Sequence, residues 1–167
     1  MMVNMGDCDG MVAGAINTTS SVVTAGNLIG LKEGFTTPSS IFIIVIEGSP
    51  YGEDGVFIYA DAGVNESPTS EELADIAIAS ANTACTLLGW EPRVAILSFS
   101  TKGSAGGPLV NKVVEATKIA KEKAPDLLID GELQADAALV PKVAEIKKVK
   151  GIGDNKFERM EEFILLE

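Results

Sequence analysis

The sequence contains no histidine, only two cysteines and no long hydrophobic run. Without histidine, Ser-His-Asp triads, imidazole metal ligands and imidazole proton shuttles are excluded. Cys8 and Cys85 lie too far apart for a CxxC or zinc motif, so we expect two reduced thiols rather than a disulfide. The longest strongly apolar run, residues 41–46, is far shorter than the ~20 residues of a transmembrane helix.

Positive charge is also scarce. Thirteen Lys and Arg against 24 Asp and Glu give a formal net charge of -11. This charge repels phosphate backbones and anionic lipids, so we expect neither a nucleic acid nor a membrane as a partner. Residues 1–9 lack the basic flank and following hydrophobic stretch of a secretory signal. The expected location is therefore the cytoplasm.

The composition that remains, 46% hydrophobic and 22% charged residues over 167, predicts one globular domain with a real core. Apolar periodicity, caps and turn residues predict its elements. They are a helix over 19–29, strands over 40–47 and 56–61, a helix over 70–88, a strand over 93–98, a helix over 108–123, a strand over 127–130, and a helix over 135–148 perturbed at Pro141. Residues 147–167 are predicted to form a loop and a short terminal helix.

The alternation of strands and helices in the second half favours an α/β fold. We expect a three-layer α/β/α sandwich with a mainly parallel sheet. The strands over 40–47 and 56–61 are joined by a turn-rich connector and are predicted to form a β-hairpin within that sheet.

Ligands of open parallel sheets bind beyond the carboxyl ends of the strands, so the loop after the strand over 93–98 is the first candidate site. It combines hydroxyl groups, one cation and a glycine, which suits a phosphate or another anion. The candidate residues are Ser98, Ser100, Thr101, Lys102, Gly103 and Ser104. The loop is not a Walker A motif, because its lysine precedes the glycine. An ordinary strand-to-helix loop is the alternative.

The second candidate site is the segment 6–15, whose small residues Gly10 and Gly14 permit a close approach of the backbone and whose Asp7 and Asp9 offer carboxylates. A tight turn with capping side chains is an equally weighted alternative. Cys8 has no neighbouring His or Lys to stabilise a thiolate, so a packed or idle thiol is favoured over a nucleophile.

Further polar residues follow strand ends at the same predicted edge, namely Asp61, Asn65 and the segment 130–133. Their carboxylates could bind a metal ion, but the pattern is unspecific, and capping or solvated roles are favoured. We therefore expect no metal site.

Four segments, in this order, resemble one known family. They are DCDGMVAGAINTT (7–19), YADAGVNESPTSEELADIAIASANTA (59–84), EPRVAILSFSTKGSA (91–105) and ATKIAKEKAPDLLIDGELQADAALVP (116–141). Together they resemble the phosphate acetyltransferase and phosphate butyryltransferase family, the phosphotransacetylases, from Met1 to about Ile146.

The resemblance implies a transferase that moves an acyl group between coenzyme A and inorganic phosphate. Coenzyme A is then a substrate, acyl phosphate or phosphate is the second ligand, and no cofactor is needed. The family has two domains with the active cleft between them and is commonly dimeric, so a homo-oligomer is expected. The segments Asp9 to Gly14 and Ser98 to Ser104 would form one wall of that cleft, where Ser100, Thr101 and Gly103 would contact the phosphate or acyl group.

The chain departs from the family pattern in length and at its end. Family members are about twice as long, and their closing segment, which carries a Ser-Arg pair and a downstream Asp proposed as the base, has no counterpart in residues 147–167. The resemblance therefore implies a phosphate acyltransferase-like second domain over 1–146 and a divergent tail over 147–167. Because no catalytic residue is assigned, we expect an incomplete transferase that is inactive alone. The alternative is a non-catalytic module for coenzyme A or acyl-phosphate binding, or for dimerisation.

Overall fold

The computed structural model describes residues 1–146 and 163–166, which fall in two compact units, residues 1–38 and residues from Ser39 onward. The first unit contains two short helices, α1 (Met2–Met5) and α2 (Thr19–Gly26). A hydroxyl side chain caps α2, because Thr18 Oγ1 accepts a hydrogen bond from Ser21 N at 3.3 Å. No hydrophobic side chain of residues 1–38 is buried, so this unit has no core of its own.

The second unit contains the sheet and the longer helices. Its elements are β1 (Phe42–Val45), β2 (Val56–Ala60), α3 (Ser70–Leu88), β3 (Arg93–Leu97), α4 (Pro108–Lys123), β4 (Leu128–Leu133), α5 (Ala135–Leu139), α6 (Pro141–Ile146) and β5 (Phe163–Leu166). They correspond in order and type to the elements predicted from the sequence, apart from β5 and the break between α5 and α6.

The sheet has the strand order β1-β2-β5-β3-β4. β1 and β2 form the predicted antiparallel hairpin, in which Ile44 pairs with Phe57. The remaining neighbours run parallel, and β3 pairs with β4 through Ala95 and Asp130. The carboxyl ends of β2, β3 and β4 therefore meet at one edge of the sheet.

Helix α3 is bounded by strong local signals, and both of its predicted ends are confirmed. Thr69 and Glu72 form a capping box, in which Glu72 N donates to Thr69 Oγ1 at 3.2 Å and Thr69 N donates to Glu72 Oε2 at 2.8 Å. Gly89 ends the helix with a φ of 70°, a left-handed conformation that glycine adopts without steric cost.

The hydrophobic core lies on both faces of the sheet, because successive side chains of a strand alternate between faces. On one face Ile58, Val94 and Ile96 pack with α3 and α4. On the other face Phe57 and Ala95, together with Leu133, pack with Ala138 of α5. A mixed α/β fold is confirmed, and the complete three-layer sandwich stays a prediction.

Two predictions near the end of the chain are refined or wrong. The helix predicted over 135–148 is interrupted at Val140, whose φ of -108° and ψ of 108° are extended, as expected for a residue before proline. The terminal helix is wrong for residues 163–166, which form β5 between β2 and β3. A short apolar run cannot sustain a helix, whereas as a central strand its backbone is paired on both sides. Residues 147–162 and 167 lie outside the described residues.

We expect the α3 core to dominate the stability of the second unit. Ile76 is fully buried, so Ile76→Ala removes its packing and leaves a cavity. The free energy of unfolding should fall by about 2–5 kcal/mol, measured by urea denaturation. Leu87→Ala in the same helix is the control, because Leu87 is 65% exposed. Similar losses in both variants would contradict the assigned core.

Candidate functional site

The segment that links β3 to α4, residues 98–107 and here named the β3–α4 loop, is attached to the end of β4. Ser98 N donates to the carbonyl oxygen of Leu133 at 2.8 Å, and Lys102 N donates to that of Glu132 at 3.2 Å. The backbone pairing of the two strands thus continues into the loop. The loop is a fixed extension of the sheet edge.

Lys102 is held by the two middle residues of β4, Asp130 and Gly131. Its Nζ lies 2.5 Å from Asp130 Oδ1 and 2.7 Å from the carbonyl oxygen of Gly131. Lys121 Nζ contacts the same Asp130 oxygen at 3.0 Å. Burial raises the pKa of the Asp130 carboxyl. The hydrogen bonds and charges of Lys102 and Lys121 lower it by a larger amount, so the pKa lies below its usual value.

Glu132 holds the middle of the β3–α4 loop through its side chain. Its side chain is buried, with the residue only 4% exposed. Glu132 Oε1 lies 2.6 Å from Gly103 N and 3.1 Å from Ser100 Oγ. Ser100 Oγ also accepts a hydrogen bond from Ala105 N at 3.1 Å.

Gln134 makes a corresponding contact with Thr101. Thr101 Oγ1 donates to Gln134 Oε1 at 3.3 Å and accepts from Gln134 N at 2.9 Å. Asp130 and Glu132 of β4, and Gln134 directly after the strand, therefore hold Lys102, Ser100 with Gly103, and Thr101.

The structure brings all six predicted loop residues together, and it divides them by exposure. Ser100 and Thr101 are buried and bonded within the protein. Gly103 and Ser104 are exposed, with Ser104 Oγ accepting from Thr101 N at 2.9 Å. Ser98 and Lys102 are half-buried. A ligand contact for any of these residues stays a prediction.

Helix α4 begins directly after the loop. Its N-cap is Gly107, no side chain caps it, and its first turn holds no acidic residue. The first amides of a helix have no intrahelical partner and carry the positive end of the dipole. Lys102 and Lys121 both contact Asp130, which neutralises part of their positive charge. Attraction of an anion here depends on the remaining positive charge and on the amides at the start of α4.

Asp61 follows β2 at the same edge of the sheet. Its carboxylate accepts hydrogen bonds from Ser40 N at 3.1 Å, from Ser40 Oγ, and from Asn65 N and Nδ2 at 2.5 and 2.6 Å. Burial raises the pKa of the Asp61 carboxyl, but the hydrogen bonds from Ser40, Asn65 and Gly63 outweigh it and hold the pKa below its usual value. The capping role favoured from the sequence is the one observed.

The second candidate segment lies in the first unit. Asp9, Gly10 and Gly14 are exposed in the stretch between α1 and α2, which contains no helix or strand. Gly14 has a φ of 107°, which favours glycine. Because this segment and the β3–α4 loop belong to different units, their sharing of one cleft wall stays a prediction.

Both cysteines lie within residues 1–146 and 163–166, the part of the chain that the structure describes. Cys8 is half-buried and Cys85 exposed, and both are free. Within this part of the chain no three Cys, Asp or Glu side chains are grouped as a metal site would require. Nor does any helix there have the length and hydropathy to cross a membrane.

Sequence reasoning missed the roles of Glu132 and Gln134, because the strand was predicted to end at Asp130. One signal for the longer strand was available in Gly131. A Cβ at this position would collide with Thr117 Oγ1 of α4 and come within 3.0 Å of the carbonyl oxygen of Ile96. Glycine within a strand marks such a close approach.

Comparison with known proteins identifies the family of the chain. The sequence model of a family described as phosphate acetyl/butaryl transferase matches residues 1–152. The chain belongs to the phosphate acetyl/butaryl transferase family. The resemblance noted in the sequence is thereby confirmed.

Individual members of the phosphate acetyl/butaryl transferase family are closely similar. A phosphate acetyltransferase of Thermoanaerobacterium thermosaccharolyticum is 56% identical over 148 residues, which are 88% of this chain and 45% of the relative. That of Acetivibrio thermocellus is 47% identical over 152 residues, covering 90% of this chain and 46% of the relative. The chain thus spans about half the length of the curated relatives it matches.

A solved member of the family has the same fold. The crystal structure of a phosphotransacetylase from Streptococcus pyogenes matches with a TM-score of 0.84 and 41% sequence identity. The match covers 98% of this chain and 48% of that structure. The mixed α/β arrangement is therefore the family fold over this region.

The lowered pKa of Asp130 predicts a pH-dependent stability. Such a carboxylate stabilises the folded state above its unfolded pKa, and this contribution is lost as the pH falls through the lower folded value. The stability difference between the wild type and Asp130→Asn should be largest near pH 7 and shrink below about pH 4. Urea denaturation at several pH values measures it, with exposed Asp126→Asn as the control. A difference that grows on acidification would be incompatible with the assigned ion pairs.

Proposed function

We propose that the chain serves phosphate acyltransferase chemistry, the exchange of an acyl group between coenzyme A and inorganic phosphate. One observation supports this above all: 88% of the chain matches a phosphate acetyltransferase at 56% identity. In this reaction the coenzyme A thiolate attacks the carbonyl carbon of an acyl phosphate. The C–S bond forms, the bond between the acyl carbon and the bridging oxygen breaks, and that oxygen leaves with the phosphate. No cofactor takes part, and coenzyme A is a substrate.

The β3–α4 loop is the proposed binding site for the anionic groups of these substrates. Both substrates are anions, and a chain with a net charge of -11 needs a local feature to attract them. The exposed Ser104 hydroxyl, the amides at the start of α4 and the Lys102 ammonium supply one. Asp9, Gly10 and Gly14 of the first unit are proposed as a separate set of substrate-binding residues.

We propose further that this chain alone does not complete the reaction. Two carboxylates at the edge of the sheet could be examined as a base: Asp61 accepts hydrogen bonds from Ser40 and Asn65, and Asp130 contacts two lysines. The pKa of each is held below its usual value, which makes both poor proton acceptors near neutral pH. The chain also spans about half of its relatives' length, and we propose that the other half supplies the remaining groups.

A second candidate function is a non-catalytic module that binds coenzyme A or dimerises. The edge strand supports the dimerisation part. β1 is at the end of the sheet order, and Phe42, Ile43 and Val45, with the neighbouring Ile46, are exposed. Residues 39–46 carry no charge to prevent edge-to-edge pairing. We propose a homo-oligomer in the cytoplasm, with the sheet covered on both faces as a three-layer sandwich.

Binding and turnover are measured separately. We expect no acetyl phosphate from acetyl-CoA and phosphate, and binding of coenzyme A at millimolar concentration by titration calorimetry. Lys102→Ala should weaken this binding about tenfold, the loss expected for one charge-assisted contact. Lys118→Ala, an exposed lysine of α4, is the matched control. Absence of binding would refute the substrate site, and turnover would refute the proposed incompleteness.

The oligomer is checked by light scattering coupled to size exclusion. We expect a mass of at least twice 17.4 kDa for the wild type. Val45→Lys should shift it to the monomer, because a charge on an edge strand opposes pairing. Val114→Lys, an exposed position on α4, should leave the mass unchanged. A monomeric wild type would argue against the proposed interface.

A further inference from the structure

We propose that Glu132 is the positioning residue of the β3–α4 loop. It holds the loop in the conformation that exposes the Ser104 hydroxyl and leads into the first amides of α4, the groups that meet an anion. The inference rests on the proposed function for the nature of the ligand. In this proposal Glu132 does not contact the ligand and acts on it only through the loop.

The contacts of Glu132 span the part of the loop that the proposal concerns. A single oxygen, Oε1, meets Gly103 N at 2.6 Å and Ser100 Oγ at 3.1 Å. The backbone oxygen of the same residue accepts from Lys102 N at 3.2 Å. Glu132 thus fixes Ser100, Lys102 and Gly103 together.

The conformation that Glu132 holds is one that the loop would not adopt readily by itself. Residues 101–104 form a turn, closed by a hydrogen bond from Ser104 N to the carbonyl oxygen of Thr101 at 3.1 Å. Its central residues, Lys102 and Gly103, have φ values of 47° and 82°. Positive φ is unfavourable for lysine, so contacts from outside the turn must stabilise it.

Glu132 in turn depends on the loop. A carboxylate that is almost fully buried is costly unless hydrogen bonds replace its water. Ser100 Oγ and Gly103 N provide these bonds. Removing the carboxylate therefore leaves the buried Ser100 hydroxyl and the Gly103 amide without this partner, and the turn loses its support.

The location of Glu132 indicates that it supports the loop and does not block the ligand. Glu132 reaches the loop from β4 and is 4% exposed. Residues 103–106 are exposed on the loop itself. The Lys102, Gly103 and Ser104 amides are already bonded within the protein. An anion that binds there meets the Ser104 hydroxyl and the first amides of α4, while Glu132 supports the turn from β4.

The test uses the full chain with three variants and two measurements. Glu132→Ala removes both contacts, whereas Glu132→Gln keeps an oxygen acceptor of the same reach. Glu115→Ala, an exposed glutamate of α4, is the matched control. Titration calorimetry measures the dissociation constant for coenzyme A and for inorganic phosphate. Amide exchange by NMR measures the protection of Gly103 N–H.

We expect Glu132→Ala to weaken coenzyme A binding about tenfold or more, the effect of losing about 1.4 kcal/mol of preorganisation. The Gly103 amide should exchange faster in this variant, with the core amides of α3 unchanged. Glu132→Gln should restore both properties to within about threefold of the wild type, and Glu115→Ala should match the wild type. A Glu132→Ala variant that binds normally or more tightly would overturn the proposal.

Two further outcomes are distinguishable. If the wild type binds neither ligand, the proposed function fails, and Gly103 exchange still decides whether Glu132 holds the turn. If Glu132→Ala does not fold, Glu132→Asp replaces it, because its shorter side chain withdraws the carboxylate from Gly103 N. Unchanged binding and unchanged Gly103 protection in Glu132→Asp would count against positioning.

Discussion

The hydrogen bonds between the end of β4 and the β3–α4 loop determine the shape of the candidate site. Asp130 and Glu132 of β4, and Gln134 directly after the strand, each hold a polar residue of the loop. The loop therefore has the rigidity of the sheet although it has no regular structure itself. Preorganised polar groups bind a ligand without first losing conformational freedom, which is the cost that flexible loops incur.

The same contacts limit the long-range electrostatic attraction of the candidate site. A cluster of unpaired lysines would attract anions of every kind, whereas here Lys102 and Lys121 share the carboxylate of Asp130. The amides of the α4 terminus add short-range dipoles. Such dipoles act over a few ångströms, so recognition of an anion by the proposed site depends on close fit more than on long-range steering.

Local signals predicted those parts of the fold that depend on local interactions. Helix α3 was recovered at both ends, because Thr69, Glu72 and Gly89 carry their own capping chemistry. β5 was not, because its strand conformation arises from pairing with two segments distant in the sequence. The loop was recognised as an anion site candidate from its residue types. Glu132 was not, since a buried partner of a loop is identified only when the strand that carries it has been placed.

The position of β5 has a consequence for how the chain reaches its native state. β1 and β2 can pair as soon as they leave the ribosome, and so can β3 and β4, since each pair is adjacent in the sheet. Among the described strands, the backbone pairing between the two pairs runs through β5, residues 163–166, which are synthesised after both. Until β5 is in place, the inner edges of β2 and β3 are open to pairing with a wrong strand. Closure of the five-stranded sheet therefore depends on the last of these strands to be synthesised.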